Sequence, residues 1–302
     1  MSKSPFFSVI IPTYNCADFL KRALTSVFIQ TYQNFEVIVV DNSSTDNTED
    51  VLNSFGDKKL AWKKVNNNGI IAHSRNKGIE NANGDWIAFL DSDDVWNSDK
   101  LMQVKNAINQ NPKVILICHD EWRVVNGERK NHLMYGPAGN DLYERLLFKS
   151  NCLSTSAVCL RKDVAMETGG FSEKEEFVTA EDYEYWIRLS QEGKFHFINE
   201  ALGEWHIHDR NDSVGNPQKH VGAIISVNEY HFALWLKNNP SGVRKVKKAK
   251  ARVWANTARI LQNGCLFPKA RMYSVKSIYR NPFQWKAWLI LLFSLLRLNY
   301  PK

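Results

Sequence analysis

A run of five apolar residues, Trp86-Ile87-Ala88-Phe89-Leu90, stops abruptly at Asp91-Ser92-Asp93-Asp94. An apolar run of that length bounded by polar residues reads as a buried strand, and a parallel strand in an α/β sheet presents its ligand site at its carboxyl end. Three acids gathered there are placed to hold a divalent cation or to meet a substrate. The plainer reading is a strand followed by a helix cap, with Asp94 or Ser98 capping the amphipathic pattern from Ser98 to Gln110. One cap needs one acid, and this segment carries three.

The preceding residues supply the sheet that such a strand requires. Phe6-Phe7-Ser8-Val9-Ile10-Ile11-Pro12 reads as a buried strand closed by Pro12, followed by a Thr13-Tyr14-Asn15 loop and a helix carrying Phe19, Leu20, Ala23, Leu24, Val27 and Phe28 on one face. A second unit runs from a strand at Phe35 to Val40, ending at Asp41, through a Ser43-Ser44-Thr45-Asp46 cap into a helix through Phe55. Leu60 to Val65 supplies another strand and Ser74 to Ala82 a short helix. This alternation over roughly the first hundred residues predicts a largely parallel sheet. Thr13 to Asn15, Asp41 and Asp91 to Asp93 then fall together at one edge although the sequence separates them. Further strand candidates, Val114 to Cys118 and Ser154 to Leu160, flank a polar stretch rich in Gly and Asn. No glycine-rich phosphate loop follows the first strand, which disfavours dinucleotide-binding and P-loop enzymes. A diphosphate would instead be held through a metal on the acids, since a divalent cation bridges phosphate oxygens and needs only one or two carboxylates.

Thr179 to Leu189 reads as a helix with Tyr183, Trp186, Ile187 and Ser190 on one face and Glu181-Asp182 in its first turn. The helix dipole favours acids there and keeps a carboxylate ionised, as a general base requires. Trp205-His206-Ile207-His208 alternates like a strand and sets two histidines on one face, either to ligate a metal or meet a phosphate, or as an ordinary exposed strand. The chain of 302 residues, 44% hydrophobic and 24% charged, is long enough for a full core and is not disordered in composition. Five cysteines, Cys16, Cys118, Cys152, Cys159 and Cys265, show no metal-ligand spacing and read as reduced structural thiols. Met1 to Pro5 leads straight into a strand pattern with no secretion signal, so a cytoplasmic location is expected.

Taken together, these motifs resemble the family-2 inverting glycosyltransferases with a GT-A fold, in the bacterial surface-polysaccharide (O-antigen and capsule) branch. The resemblance spans roughly residues 6 to 215 and rests on Val9 to Asn15, Val39 to Asp46, Ala72-His73-Ser74-Arg75-Asn76-Lys77-Gly78, Phe89 to Asp94 and Glu181-Asp182-Tyr183. It implies an α/β nucleotide-diphospho-sugar transferase domain over 1–215, with a mostly parallel central sheet flanked by helices. A nucleotide-sugar half (about 1–110) and an acceptor half (about 111–215) would be followed by a helical extension (216–302). It implies that Pro12, Thr13, Tyr14, Asn15, Asp41, Arg75, Asn76, Asp91 and Ser92 line the site of a UDP-sugar. Asp41, Thr13 and Tyr14 would meet the uridine, and Asp91 the ribose. Asp93 would bind Mn2+ or Mg2+, and His208 the metal or the diphosphate. Asp182 would deprotonate the acceptor hydroxyl, with Glu181 beside it. In this family a Tyr-Arg-x-His segment often follows the base, its histidine touching the metal or the diphosphate; here it reads Trp205-His206-Ile207-His208, so His208 carries over while Tyr-Arg has become Trp-His, and no role carries over to His206. The implied acceptor is a saccharide, in this branch often linked to a polyprenyl diphosphate.

The net charge of +7 is concentrated late, in Arg244 to Arg252, and points to an anionic partner. After it, Pro282 to Leu298 is strongly apolar, but its charge-free run from Ala287 to Leu296 is far short of the roughly 20 residues a span needs. The segment is expected to lie on a membrane surface, with Trp285, Trp288, Lys286 and Arg297 at the interface; docking on the catalytic domain or on a second copy of the chain is the alternative. No nucleic-acid-binding motif is present. Two rival functions remain at this stage. Asp91-Ser92-Asp93-Asp94-Val95 also fits the signature of haloacid-dehalogenase-type phosphatases, in which Asp91 would be a nucleophile, and the positive charge alone fits a non-catalytic anion- or lipid-binding protein.

Overall fold

The computed structural model describes residues 5–136, 141–208 and 215–298. Two compact units emerge, one of residues 1–140, 152–173 and 185–208, the other of residues 141–151, 174–184 and 209–302. Two short segments, 141–151 and 174–184, thus fold with the C-terminal helices, where the sequence suggests a simple cut at 215.

The first unit begins with the expected alternation: β1 (Phe7–Thr13), α1 (Ala17–Phe28), β2 (Phe35–Asp41), α2 (Thr48–Phe55), β3 (Leu60–Lys64), α3 (Ile71–Asn81) and β4 (Trp86–Phe89). β1 pairs in parallel with both β2 and β4, and β2 pairs in parallel with β3. Pro12 does not close β1 but lies inside it, in register with Val40. It is tolerated because β4 pairs with β1 only through Ile10, so the missing N–H falls where β1 has already lost one neighbour. α3 lies close on β1 because Gly78 has no side chain; a Cβ there would stand 2.3 Å from Ile10 Cγ2.

Beyond β4 come β5 (Val95–Trp96), α4 (Lys100–Gln110), β6 (Val114–Val125), β7 (Glu128–Leu133), β8 (Val158–Arg161), α6 (Lys162–Glu167) and β9 (Lys194–Ile207). The sheet order is β3-β2-β1-β4-β8-β6-β9-β5, with β7 added on β6. β1 to β4 are therefore parallel to one another, while β8 runs antiparallel to both β4 and β6, making the whole sheet mixed. The first part of the polar stretch after Cys118 is strand: β6 continues to Val125 and turns back into β7 through Asn126-Gly127, at φ 52° and 78°. Asn-Gly is the pair that a tight hairpin turn favours, because both residues tolerate positive φ. Val9, Ile11, Val37, Val39, Ala88 and Leu90 form a core with Leu20, Leu24, Val27, Leu101 and Val104 of the helices.

The second unit holds α5 (Leu142–Phe148), the start of α7 (Glu181–Leu189), and α8 (Pro217–Asn238), α9 (Val243–Asn263), α10 (Phe267–Arg280) and α11 (Trp285–Leu295). Asp141 caps α5 by accepting from Glu144 N–H at 2.8 Å, and Asn216 caps α8 by accepting from Lys219 N–H at 3.0 Å. Leu147, Phe148, Phe232, Val246 and Ala249 make one apolar cluster; Val221, Leu261 and Ala270 make another. Among the described residues, no helix is long and apolar enough to cross a membrane.

Candidate functional site

The carboxyl ends of β1, β2 and β4 carry the residues singled out in the sequence, and the turns between them are tied to one another. Asp41 is buried at the end of β2 and accepts from Ser44 N–H at 3.1 Å and Ser44 Oγ at 2.5 Å. Ser44 Oγ in turn lies 2.9 Å from Asn15 N, and Asn15 Oδ1 accepts Thr45 N–H at 2.7 Å. Both Asn15 and Ser43 hold positive φ, which these short polar side chains tolerate better than branched ones. Asp46 joins the loops from below, accepting Ala17 N–H at 3.0 Å and Thr48 N–H at 3.1 Å at the starts of α1 and α2. Burial pushes its carboxyl up, but the hydrogen bonds from Thr48 and Ala17 outweigh that and leave its pKa below the usual value. Thr13 is buried, whereas Tyr14 is 56% exposed and so presents its ring to solvent beside this edge.

The acids after β4 separate by environment. Asp91 is partly exposed and receives Arg75 Nη2 at 2.7 Å from α3, whose guanidinium is buried. Arg75 is thereby engaged with Asp91 and orients it. Asn76, next on α3, accepts Phe171 N–H at 2.8 Å and donates to Phe171 O at 2.8 Å, so it braces the loop after α6. Ser92 is buried with its Oγ 3.1 Å from Cys16 Sγ, which links this turn to the first loop. Asp94 is neither a cap nor a solvated acid: it is 2% exposed, accepting Ser156 Oγ at 2.6 Å and the His206 backbone N–H at 2.9 Å. Burial, reinforced by Asp93, Glu121 and Asp91, holds its pKa well above the ordinary carboxylate value, so Asp94 fixes the end of β9 against the β4 turn.

That anchoring brings His208 Nε2 to 3.0 Å from Asp93 Oδ2, both about one-fifth exposed. Phe19 of α1 stacks on the His208 ring, with centroids 4.4 Å apart and planes 14° apart. Read as a core position in the sequence, Phe19 is instead the group that sets the plane of His208. No sequence signal distinguishes it from its apolar neighbours. His206 takes a different course. Its ring nitrogens lie 3.2 Å from Arg22 Nη2, and Nε2 lies 3.0 Å from Glu204 Oε2. Burial and then the Arg22 charge lower its pKa, so it acts as a neutral link between α1 and β9. Among the described residues no group of three or more His, Cys, Asp or Glu is arranged to cage a metal. One carboxylate and one imidazole at 3.0 Å do suit a divalent cation whose other positions are filled by phosphate oxygens and water.

In the second unit, Glu181 and Asp182 open α7. Glu181 is buried and accepts Thr179 N–H at 2.8 Å through Oε2. Thr179 sits at φ 83°, a strained position for a β-branched residue. His220 of α8, whose Nδ1 lies 3.0 Å from Thr179 O, braces the same turn. Asp182 is only partly buried; its Oδ1 accepts Tyr183 N–H at 2.6 Å and its Oδ2 lies 3.4 Å from Asn151 Nδ2. Tyr183 then donates to Leu146 O at 2.7 Å, locking this turn of α7 to α5. Of the two acids, Glu181 is enclosed in the strained turn and Asp182 is the less buried.

Glu121 on β6, which no sequence motif marks, is a fully enclosed acid, with Tyr135 Oη donating to its Oε2 at 2.8 Å. Burial pushes its pKa to about 7, the hydrogen bonds offsetting this only in part. In the unfolded chain the group titrates near ~4.3. Between those values the folded protein binds the extra proton, so stability falls as pH rises through this window and stays lowered above it. Glu121→Gln removes the loss. It is expected to raise Tm by a few degrees at pH 8 and to change it little near pH 4, measured by calorimetry at both pH values.

The family model described as Glycosyl transferase family 2 matches residues 8–168. The amylovoran biosynthesis glycosyltransferase AmsB of Erwinia amylovora is 30% identical over 215 residues, covering 67% of this chain and 69% of its own. Residues 1–349 of TarS from S. aureus, solved in complex with UDP-GlcNAc, superpose with a TM-score of 0.63 at 18% identity, over 98% of this chain and 93% of that one. The mannosyltransferase PcManGT from Pyrobaculum calidifontis, solved with GDP-Man and Mn2+, gives 0.61 at 17% identity, over 98% and 81%. At those identities the two structures speak for the fold.

Proposed function

Because the chain belongs to glycosyl transferase family 2 and has the GT-A fold, we propose that it transfers a sugar from a UDP-sugar to a hydroxyl of a saccharide acceptor, with inversion and with a divalent metal. Family membership removes the two rivals: Asp91 is no phosphatase nucleophile, and the chain is an enzyme. The observation that carries the reading is the pairing of Asp93 with His208 at 3.0 Å, with Asp41 buried at the end of β2 and Asp91 held by Arg75 after β4, both strands parallel to β1.

In this reading Pro12, Thr13, Tyr14, Asn15 and Asp41 form the uridine pocket. Asp91, oriented by Arg75, takes the ribose, while Asn76 and Ser92 keep the surrounding loops in place. Asp93 and His208 would hold Mn2+ or Mg2+. When bound, that ion supplies the Lewis acidity that stabilises charge on the departing diphosphate. Asp182 accepts the proton from the acceptor hydroxyl as its oxygen attacks the anomeric carbon, and Glu181 holds the turn that presents it. A single base suffices because attack from the face opposite the leaving group inverts the centre in one displacement, with no covalent nucleophile.

The complex of TarS with UDP-GlcNAc and that of PcManGT with GDP-Man and Mn2+ support a nucleotide-sugar donor and a metal. AmsB, named for amylovoran biosynthesis, supports a cell-surface polysaccharide as the product. The acceptor in this reading is linked to a polyprenyl diphosphate, which sets the enzyme at the inner face of the cell membrane. A panel of UDP- and GDP-sugars, each scored for turnover with Mn2+ and after EDTA treatment, tests the proposal. A UDP-sugar turned over only with metal is expected, with the anomeric configuration of the product opposite to that of the donor. Retained configuration, or full activity in EDTA, would overturn the inverting or the metal-dependent part of the reading.

A further inference from the structure

The last 73 residues, 230–302, contain fifteen Lys and Arg and no Asp or Glu, so a chain of net charge +7 is strongly positive at this end and net acidic over the rest. Within that segment α10 and α11 pack on each other and on α9, yet they do so with the wrong residues for a water-facing pair. The positions turned inward are small: Ala270, Ser274 and Ser277 on α10, and Ala287 and Ser294 on α11, together with Ile290. The large apolar residues point outward. Met272, Val275 and Tyr279 of α10 are 44–86% exposed, and Phe283 in the connection is 91% exposed. Trp285, Trp288, Leu292, Leu295 and Leu296 of α11 are 51–60% exposed.

Their spacing makes these stripes and not scattered exposures. Steps of three and four residues place 272, 275 and 279 within one narrow arc of α10, and 285, 288, 292, 295 and 296 within one arc of α11. Single exposed apolar side chains are ordinary, whereas a contiguous row of this kind marks an interaction surface. Lys276, Arg280, Lys286 and Arg297 are exposed on the flanks of the same two helices.

We infer that the outward apolar face of α10 and α11 is a docking surface for an anionic phospholipid bilayer. This deepens the reading of a lipid-linked acceptor by assigning the surface that meets the lipid. Charge decides between a membrane and a second copy of the chain. A two-fold dimer on this face would set two segments without a single acid against each other, whereas anionic headgroups neutralise the flanking lysines and arginines. Tryptophan and tyrosine rings beside basic side chains suit the depth between headgroups and acyl chains. α11 has 11 residues, about 16 Å of helix, half of the roughly 30 Å hydrocarbon layer. It therefore lies in the interface plane.

Flotation of the full chain with liposomes tests this, using phosphatidylcholine alone and phosphatidylcholine with 30% phosphatidylglycerol. Binding is expected only to the anionic vesicles. The double variant Trp285→Ser/Trp288→Ser should lose about tenfold or more in partitioning. Lys276→Gln and Lys286→Gln should each lose up to roughly fivefold. All these side chains are exposed, so melting temperature and Mn2+-dependent UDP binding should stay at wild-type values, which separates failure here from failure of the catalytic reading. Absence of vesicle binding by the wild type, equal binding by the tryptophan variant, or a dimer in light scattering that the tryptophan variant disperses would each overturn the proposal.

Discussion

Replacing Asp182 with Asn is expected to lower the rate of sugar transfer by about 10²–10⁴-fold, the usual contribution of a positioned general base, while leaving donor binding unchanged. The substitution is nearly isosteric. Tyr183 N–H, now 2.6 Å from Asp182 Oδ1, retains an amide oxygen as acceptor, and the weaker 3.4 Å contact with Asn151 is dispensable. The start of α7 should hold, because Glu181 with Thr179, His220 and the Tyr183 hydroxyl bond to Leu146 do not depend on the charge at 182. In the proposed mechanism the substitution removes the group that takes the acceptor proton, so the effect is expected in kcat and not in the donor's KM. Initial rates at saturating donor, with donor affinity measured separately by calorimetry, give the two quantities. Transfer at the wild-type rate would mean that Asp182 is not the base.

Asp93→Asn is expected to act on the other half of the reaction. A bound divalent cation contributes several kcal/mol of stabilisation to the charge on a departing phosphate, and at 1.36 kcal/mol per factor of ten its loss lowers kcat/KM by at least about 10³-fold. The distinguishing measurement is UDP affinity with and without Mn2+. Wild type and Asp182→Asn should both bind more tightly with the ion, and Asp93→Asn should lose that increment. His208 provides an internal comparison, since its ring is held both by Asp93 and by the stack on Phe19. Phe19→Ala should loosen the ring and reduce the Mn2+ increment without removing it. If Asp93→Asn kept the full increment, the metal would be held elsewhere.

Several parts of the molecule were legible from residue order alone, and each has a physical reason for being so. The β-α alternation reads well because strands such as Val37 to Val40 are buried on both faces, and a fully enclosed strand must be continuously apolar. The β6–β7 hairpin was lost in a polar stretch, because β7 is exposed and carries Glu128, Arg129 and Lys130 in place of an apolar pattern. Only Asn126-Gly127 signals it. Pro12 misleads for a related reason: whether a proline ends a strand depends on whether its neighbours extend that far, and the length of β4 is not written in β1.

Residue order alone sets which groups are present and in what sequence: acids immediately after a buried strand, an acid pair where a helix begins, and a C-terminal segment of one charge sign. These follow from local composition and from periods of two and 3.6 residues, which any fold must respect. The surroundings of each acid come from the fold. Asp94 is buried under Ser156 and the His206 backbone, Asp91 is held by Arg75, and Asp93 remains for His208, although the three stand within four consecutive residues. The same holds for Glu181 and Asp182, one enclosed in a strained turn and the other only partly buried. Protonation and reach depend on burial and on partners brought from 16 to 115 residues away, and folding alone sets those distances.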